Sequence, residues 1–185
     1  PEKVQTESKL ASKPKLPLAP VPDVNETDLL NRWIFQSDQI DIKNRDKVND
    51  IGTDSVVRDL ENNLPAKLTS PGLLKRVGLM EALQFDGENT IARMAEDCDK
   101  KKLPNKAMTV EAWVQLYRPQ ETSSIIHVTD DQNRHRRGWM LGYDNHAFTF
   151  ALATRKDGFG RTTIKGKSRA HAGRWHHVVG TYNGE

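Results

Sequence analysis

The chain of 185 residues is poor in cysteine, in aromatic side chains and in long hydrophobic runs. Its single cysteine, Cys98, excludes an internal disulfide and a cysteine-rich metal site. No apolar stretch approaches the roughly 20 residues of a membrane-spanning helix, and no signal peptide is visible. An excess of one charge is also lacking, because 28 Lys+Arg and 25 Asp+Glu leave a net charge of +3. We therefore expect no membrane span and no nucleic-acid partner.

Proline is concentrated near the N-terminus, in the segment "KPKLPLAPVPD". Proline-rich chain favours extended, solvated conformations, so residues 1–26 are predicted to form a disordered Pro/Lys-rich linker. "PKLP" also fits the PxxP pattern of SH3 ligands, but that pattern is so permissive that the linker is the better interpretation.

From Leu29 onward the sequence is typical of short strands separated by polar turns. In "MTVEAWVQ" the residues Met108, Val110, Ala112 and Val114 alternate with polar and aromatic ones, and this period of two excludes an amphipathic helix. Similar strands follow in "SSIIHVTD", "GWMLGYD", "AFTFALAT" and "RWHHVVGTY", while the pair Asp86-Gly87 predicts a hairpin turn. The predicted fold class is all-β, an antiparallel sandwich or barrel.

Four stretches together resemble the laminin-G-like, concanavalin A-like jelly rolls. "ALQFDGENT" is similar to their "L-x-F-D-G" turn, "MTVEAWVQLYRP" to their "F-T-V-E-A-W-V" strand, "GWMLGYDNHAFTFAL" to their paired central strands, and "GRWHHVVGTYNG" to their "W-H-H-V-A-G-T-Y-D-G" strand. "RWIF" and "VRDLENNLPAKL" resemble the opening of the same domain. The resemblance implies one laminin-G-like jelly roll over residues 27–185, preceded by the linker.

The resemblance also implies that the sandwich is incomplete at the C-terminus. Family members continue after "G-T-Y-D-G" with a strand of the type "L-Y-V-N-G" that pairs back, and nothing of this type follows Asn183-Gly184. The sequence is thus expected to be a C-terminally truncated fragment of a larger protein, with the remaining domains of that chain among its partners.

Aromatic side chains are the first candidates for ligand binding, because they can stack on sugar rings. Trp113 and Trp175 are expected in the core, where sandwich aromatics usually lie. Trp139 and Tyr143 share one face of "GWMLGYD" and lead into a turn predicted at Asp144-Asn145, so these four residues are candidates for ligand binding.

A second candidate is the basic loop "NRHRRG", with Arg134, Arg136 and Arg137. Three arginines at a hairpin tip could bind a sulfate or phosphate group, and some laminin-G-like domains bind sulfated glycans. A solvated turn is the alternative.

Calcium is the metal that the family suggests, since members often hold one Ca²⁺ at a sandwich edge. Asp130 and Asp131 precede the basic loop and are the candidate oxygen ligands. The histidines do not indicate zinc, because His176 and His177 are adjacent in a strand and point to opposite faces.

Three functions remain after these observations. The first is a non-catalytic binding or adhesion module for glycan or protein, in an extracellular, cell-surface or periplasmic setting implied by the family. The second is an accessory jelly roll of a larger bacterial enzyme, such as a metallophosphoesterase or a cytochrome-containing protein. The third, a glycoside hydrolase, is disfavoured because Glu111 stands alone in its strand without a second carboxylate.

Overall fold

A computed structural model of the protein describes residues 31–44, 50–61, 64–94, 107–117, 121–130, 137–153 and 161–184. The predicted linker lies outside these residues. The described residues form two compact units, one up to Met94 and one from Ala107. Strands dominate both, and the one described helix is a single 3-10 turn, Ser37–Gln39, so no described helix has the length and apolar character needed to cross a bilayer. The all-β antiparallel prediction is confirmed, whereas a single domain over 27–185 stays a prediction.

The N-terminal unit contains seven short strands in two antiparallel sheets. One sheet has the order β1-β3-β4-β7, and the other has the order β2-β5-β6. Their bounds are β1 Ile40–Asp41, β2 Asp50–Ile51, β3 Val56–Val57, β4 Ala66–Leu68, β5 Gly72–Val77, β6 Met80–Gln84 and β7 Ala92–Arg93. Alternate residues of β4 and the ends of β2 and β3 are buried, and Ile51, Val57 and Leu68 form the centre of this unit's core.

Two aspartates organise the turns of this unit. Asp59 accepts hydrogen bonds from the backbone N–H groups of Arg32 and Leu64, at 2.9 and 3.0 Å. The carboxylate of Asp86 accepts three, from Glu88, Asn89 and Thr90. The expectation that Asp86 is a turn residue is confirmed, but the predicted hairpin is wrong. β6 pairs with β5 and β7 pairs with β4, so the strands on either side of Asp86-Gly87 are not partners.

The C-terminal unit contains six longer strands in two antiparallel sheets. The four-stranded sheet has the order β12-β11-β10-β9, and the second sheet pairs β13 with β8. Their bounds are β8 Met108–Gln115, β9 Thr122–Asp130, β10 Arg137–Asp144, β11 Ala147–Ala153, β12 Arg161–Arg169 and β13 Trp175–Tyr182. Five of them, β8 to β11 and β13, correspond to the strands predicted from the sequence, whereas no strand was predicted over β12.

The two sheets of the C-terminal unit pack face to face as a sandwich. Val110 of β8 and Val178 of β13 contact Leu141 of β10 and Phe150 of β11 in one buried cluster. Met108, Ala112 and Val114 pack against that cluster, so the alternation of β8 gives the correct inner face. Gly180 lies so close to Phe150 that a Cβ atom at this position would be 2.5 Å from its ring.

A tight turn joins the central strands β10 and β11. Both of its central residues have positive φ, 44° at Asn145 and 70° at His146, as a type I′ turn requires. This turn matches the right-handed twist of the flanking strands, and it sets the register in which Leu141 lies opposite Phe150.

Candidate functional site

The two aromatic residues predicted to bind ligand point into the sandwich. Tyr143 is 1% exposed, and its ring lies edge-on to Phe148 with centroids 6.2 Å apart. Its hydroxyl is buried without a hydrogen-bond partner among the described residues. Trp139 is half-buried and packs against the core cluster. A role for either side chain in ligand binding stays a prediction.

Asp144 is the last residue of β10, and Asn145 is the first of the two central residues of the turn to β11. The carboxylate of Asp144 forms an ion pair with Lys165 of β12 at 2.8 Å and accepts a hydrogen bond from the Asn145 side chain at 2.9 Å. The hydrogen bond from Lys165 is the largest of the effects that lower the pKa of this carboxyl. The backbone N–H of Asn145 donates to the carbonyl of Glu121 at 2.8 Å. Both side chains therefore stabilise the turn.

The basic loop and the predicted calcium ligands are mostly outside the described part of the chain. Arg134, Arg136 and Asp131 lie outside it, and only the backbone is described for Asp130 and Arg137, which are paired in the ladder of β9 and β10. Within the described residues, no three side chains of His, Cys, Asp or Glu are grouped so as to hold a metal ion. The polyanion and calcium hypotheses stay predictions.

The sheet of β8 and β13 presents a second face, directed away from the core. It consists of every other residue of each strand, in the register that pairs Trp113 with His177 and Glu111 with Val179. We call this surface the β8–β13 outer face, formed by Thr109, Glu111, Trp113, Gln115, Trp175, His177, Val179 and Thr181.

His177 contacts both Trp113 and Glu111 on the outer face. The indole of Trp113 and the imidazole of His177 stack with centroids 4.9 Å apart and an interplanar angle of 12°. His177 also makes a polar contact, because its Nε2 lies 3.0 Å from Glu111 Oε2. Trp113 is nevertheless 40% exposed and Val179 is 48% exposed. The outer face thus presents an ordered indole beside a carboxylate.

This placement corrects the expectation that Trp113 fills the core. The period of two in β8 directs Val110 and Ala112 inward, and the same period must direct Trp113 outward with Glu111. Trp175 is half-buried, and its buried indole N–H has no hydrogen-bond partner among the described residues. The outward position of Trp113 could have been predicted from the sequence, because Trp113 alternates along β8 with the inward-facing valines.

His176 and His177 point to opposite faces, as predicted. The ring of His176 lies 5.1 Å from that of Phe148 on the inner side, and its Nε2 is 3.2 Å from the backbone nitrogen of His171. His176 therefore ties the loop before β13 to the sandwich, while His177 belongs to the outer face.

Comparison with known proteins places the chain in a family. A laminin-G family model, described as the Concanavalin A-like lectin/glucanases superfamily, matches residues 87–185, just over half of the chain. The match covers all six strands of the C-terminal unit. Neither the curated proteins nor the solved structures compared with the chain contain a significant match. The superfamily's description covers both lectins and glucanases, so membership does not decide the activity. The chain belongs to the concanavalin A-like lectin/glucanase superfamily.

Proposed function

We propose that this protein is a non-catalytic glycan-binding module and that the β8–β13 outer face is its binding site. A sugar ring has apolar C–H patches bordered by hydroxyl groups. A matching site offers an exposed aromatic surface with a few hydrogen-bonding groups at its edge. The outer face has this composition, with Trp113 beside Glu111 and with threonines at the far end of both strands.

The observation that carries the proposal is the exposure of Trp113 together with its fixed orientation. Burying a large aromatic side chain stabilises a fold by about 1.5–3 kcal/mol, so a tryptophan held in solvent forgoes part of that gain. Stacking on His177 covers part of the indole and restrains its plane. A restrained side chain loses less conformational entropy when a ligand binds, which favours affinity.

The same face argues against glycoside hydrolysis at this location. Both stereochemical courses of that reaction use two carboxyl groups, about 5–5.5 Å apart in retaining enzymes and about 6.5–9.5 Å apart in inverting ones. β8 and β13 are described along their whole length, and Glu111 is the one carboxylate that they place on the outer face. Its Oε2 is already engaged by His177. The site is therefore suited to binding rather than to acid–base chemistry.

An extracytoplasmic location follows as part of the proposal, because glycans are abundant on the outside of cells and the family suggests the same setting. A protein ligand is the alternative that the experiment below distinguishes. The residues Trp139, Tyr143, Asp144 and Asn145 are a competing location, and the binding measurement separates the two.

The test is isothermal titration calorimetry of the whole chain with three neutral hexasaccharides: cellohexaose, mannohexaose and β-1,4-galactohexaose. We expect at least one to bind and Trp113→Ala to weaken that binding about tenfold or more, because the stacking surface is lost. Phe85→Ala is the matched control, since Phe85 is 43% exposed and also contacts one other ring, that of Phe35 at 5.9 Å.

The outcomes separate the alternatives. Equal binding by the wild type, Trp113→Ala and Phe85→Ala would move the site away from the outer face. Absence of binding to all three sugars would contradict the glycan proposal and favour a protein ligand.

A further inference from the structure

We infer that Glu111 determines the charge preference of the outer face, so that the site accepts neutral hexose units and rejects acidic sugars. The inference rests on the proposed function and adds the class of glycan. It assigns to Glu111 a specificity role that is separate from the stacking surface of Trp113.

Glu111 is placed to meet any ligand that stacks on Trp113. The two residues are two positions apart on the same face of β8, roughly 6.6 Å along the strand. A pyranose ring with its substituents spans a similar distance. Directly opposite Glu111 on the neighbouring strand is Val179, which is 48% exposed and adds apolar surface beside the carboxylate.

The hydrogen bond from His177 fixes the carboxylate without consuming it. A carboxylate has two oxygens and about four lone-pair positions, and His177 Nε2 occupies one position on Oε2. The remaining positions can accept hydrogen bonds from sugar hydroxyls. A neutral sugar supplies such donors, whereas the carboxylate or sulfate group of an acidic sugar supplies a second negative charge.

The outer face carries no lysine or arginine that could offset this charge, and its one basic side chain is His177, which already contacts Glu111. The eight residues that form the face include no lysine and no arginine, and both strands are fully described. The side-chain amide of Gln115, on the same face, is already engaged, because its Nε2 donates to the carbonyl of Gly173 at 2.9 Å. The repulsion of an acidic ligand is therefore left uncompensated by the residues of this face.

The edge strand β12 is the competing surface for an acidic ligand. Its nine residues are all exposed, and four of them are cationic: Arg161, Lys165, Lys167 and Arg169. Lysine and arginine on an edge strand also protect it from pairing with other chains, and Lys165 is already paired with Asp144. Binding of acidic glycans at β12 is an outcome that the experiment detects.

The experiment compares each neutral hexasaccharide that binds with its C6-oxidised, uronic-acid counterpart of the same length. Titrations of the whole chain are made at pH 8, where histidine side chains are ordinarily neutral. The measured quantity is the ratio of the two affinities in the wild type, in Glu111→Gln and in the control Glu121→Gln. Glu121 is an exposed acid of the same unit that does not belong to the outer face. Thermal unfolding of each variant verifies that it is folded.

We expect the wild type and Glu121→Gln to prefer the neutral sugar and Glu111→Gln to lose that preference. Two like charges about 5 Å apart in an aqueous environment change an affinity by roughly fivefold, so the ratio should fall by about that factor. Raising the salt concentration should reduce the ratio in the wild type and leave it unchanged in Glu111→Gln. A change confined to stability or to overall affinity would not alter this ratio.

Three results would overturn the inference. A wild type that prefers the uronic-acid sugar would point to β12 or to the arginine-rich loop as the binding surface. A ratio unaffected by Glu111→Gln, with binding still dependent on Trp113, would refute the role of Glu111 and leave the proposed function intact. Failure of every neutral sugar to bind would refute both.

Discussion

The close packing of the two sheets of the sandwich can be tested by a substitution at Gly180. It lies in the middle of β13, and an added Cβ atom would be 2.5 Å from Cδ2 and 2.7 Å from Cγ of Phe150. Real Cβ atoms essentially never come within 3.0 Å of another heavy atom, so Gly180→Ala must displace the ring. Phe150 belongs to the buried core and contacts Leu141 and Val178, which limits where it can move.

Two opposing effects set the expected magnitude. Alanine in a strand is normally more favourable than glycine by about 0.5–1 kcal/mol, because it restricts the unfolded chain. Extra volume in a packed core costs about 1–3 kcal/mol, because neighbours are forced from their rotamers. We expect the steric effect to dominate, so that Gly180→Ala lowers the free energy of unfolding by about 1–2 kcal/mol, a sizeable part of the 5–15 kcal/mol typical of a protein.

The assay is urea unfolding of the whole chain, monitored by tryptophan fluorescence. Gly166→Ala is the control, because the nearest atom to its added Cβ is the carbonyl oxygen of Phe148 at 3.3 Å and β12 is exposed. Its effect should stay within about 0.5 kcal/mol. Phe150→Leu should be less damaging in the Gly180→Ala background than alone, with a coupling of about 0.5 kcal/mol or more. An unchanged or higher stability of Gly180→Ala would refute this packing of β13 on β11.

Two further predictions concern the aspartates of the N-terminal unit. Replacing Asp59 with alanine should lower the free energy of unfolding by about 1–2 kcal/mol in a urea titration, because backbone N–H donors lose their acceptor at a partly exposed site. The control is Asp38→Ala, on the surface 3-10 turn. An effect of Asp59→Ala no larger than that of the control would contradict the prediction. Backbone hydrogen bonds, that of Thr90 first, lower the pKa of Asp86 well below its ordinary value of 3.8. The ionised carboxylate therefore stabilises the fold above pH 3.8, and this stabilisation is lost as the pH falls below 3.8 toward the pKa of the folded state. Thermal melting between pH 2 and 6 should therefore be less pH-dependent in Asp86→Asn, and identical slopes for the variant and wild type would refute the assignment.

Five of the six strands of the C-terminal unit could be predicted from the sequence because their pattern is local. The sixth, β12, could not, because all nine of its residues are exposed and its burial does not alternate. Alternation in β8 assigns Val110 and Val114 to one face without any knowledge of the partner strand. The turn at Asn145–His146 was expected one residue earlier, at Asp144–Asn145, because aspartate and asparagine both favour turns. Such signals depend on residues within a few positions of one another.

The strand pairing of the N-terminal unit was harder to predict. Asp86-Gly87 has the composition of a hairpin turn. The carboxylate of Asp86 instead accepts hydrogen bonds from three backbone N–H groups, and the chain continues toward β7. Strands of two or three residues carry little alternation, so tertiary pairing decides their partners.

The candidate site was missed for two physical reasons. The tendency of tryptophan to be buried predicts a core position for Trp113, but its phase in β8 is the stronger constraint within a regular strand and directs it outward. Contact between Glu111 and His177 joins residues 66 positions apart and depends on the register of β8 with β13. A single sequence specifies that register only after the strands have been paired.

The most direct test of the account is an NMR titration of the whole chain, labelled with ¹⁵N, with a neutral hexasaccharide that binds. The four tryptophans provide four indole N–H signals, from Trp33, Trp113, Trp139 and Trp175, and Trp113→Phe identifies the one that matters. We predict that the sugar shifts the Trp113 signal and the backbone amides of Glu111 and His177, while the indole signals of Trp33 and Trp139, which lie off the outer face, are unchanged. A shift of Trp139 together with Asp144 and Asn145, with Trp113 unchanged, would contradict the claim that the β8–β13 outer face binds the glycan.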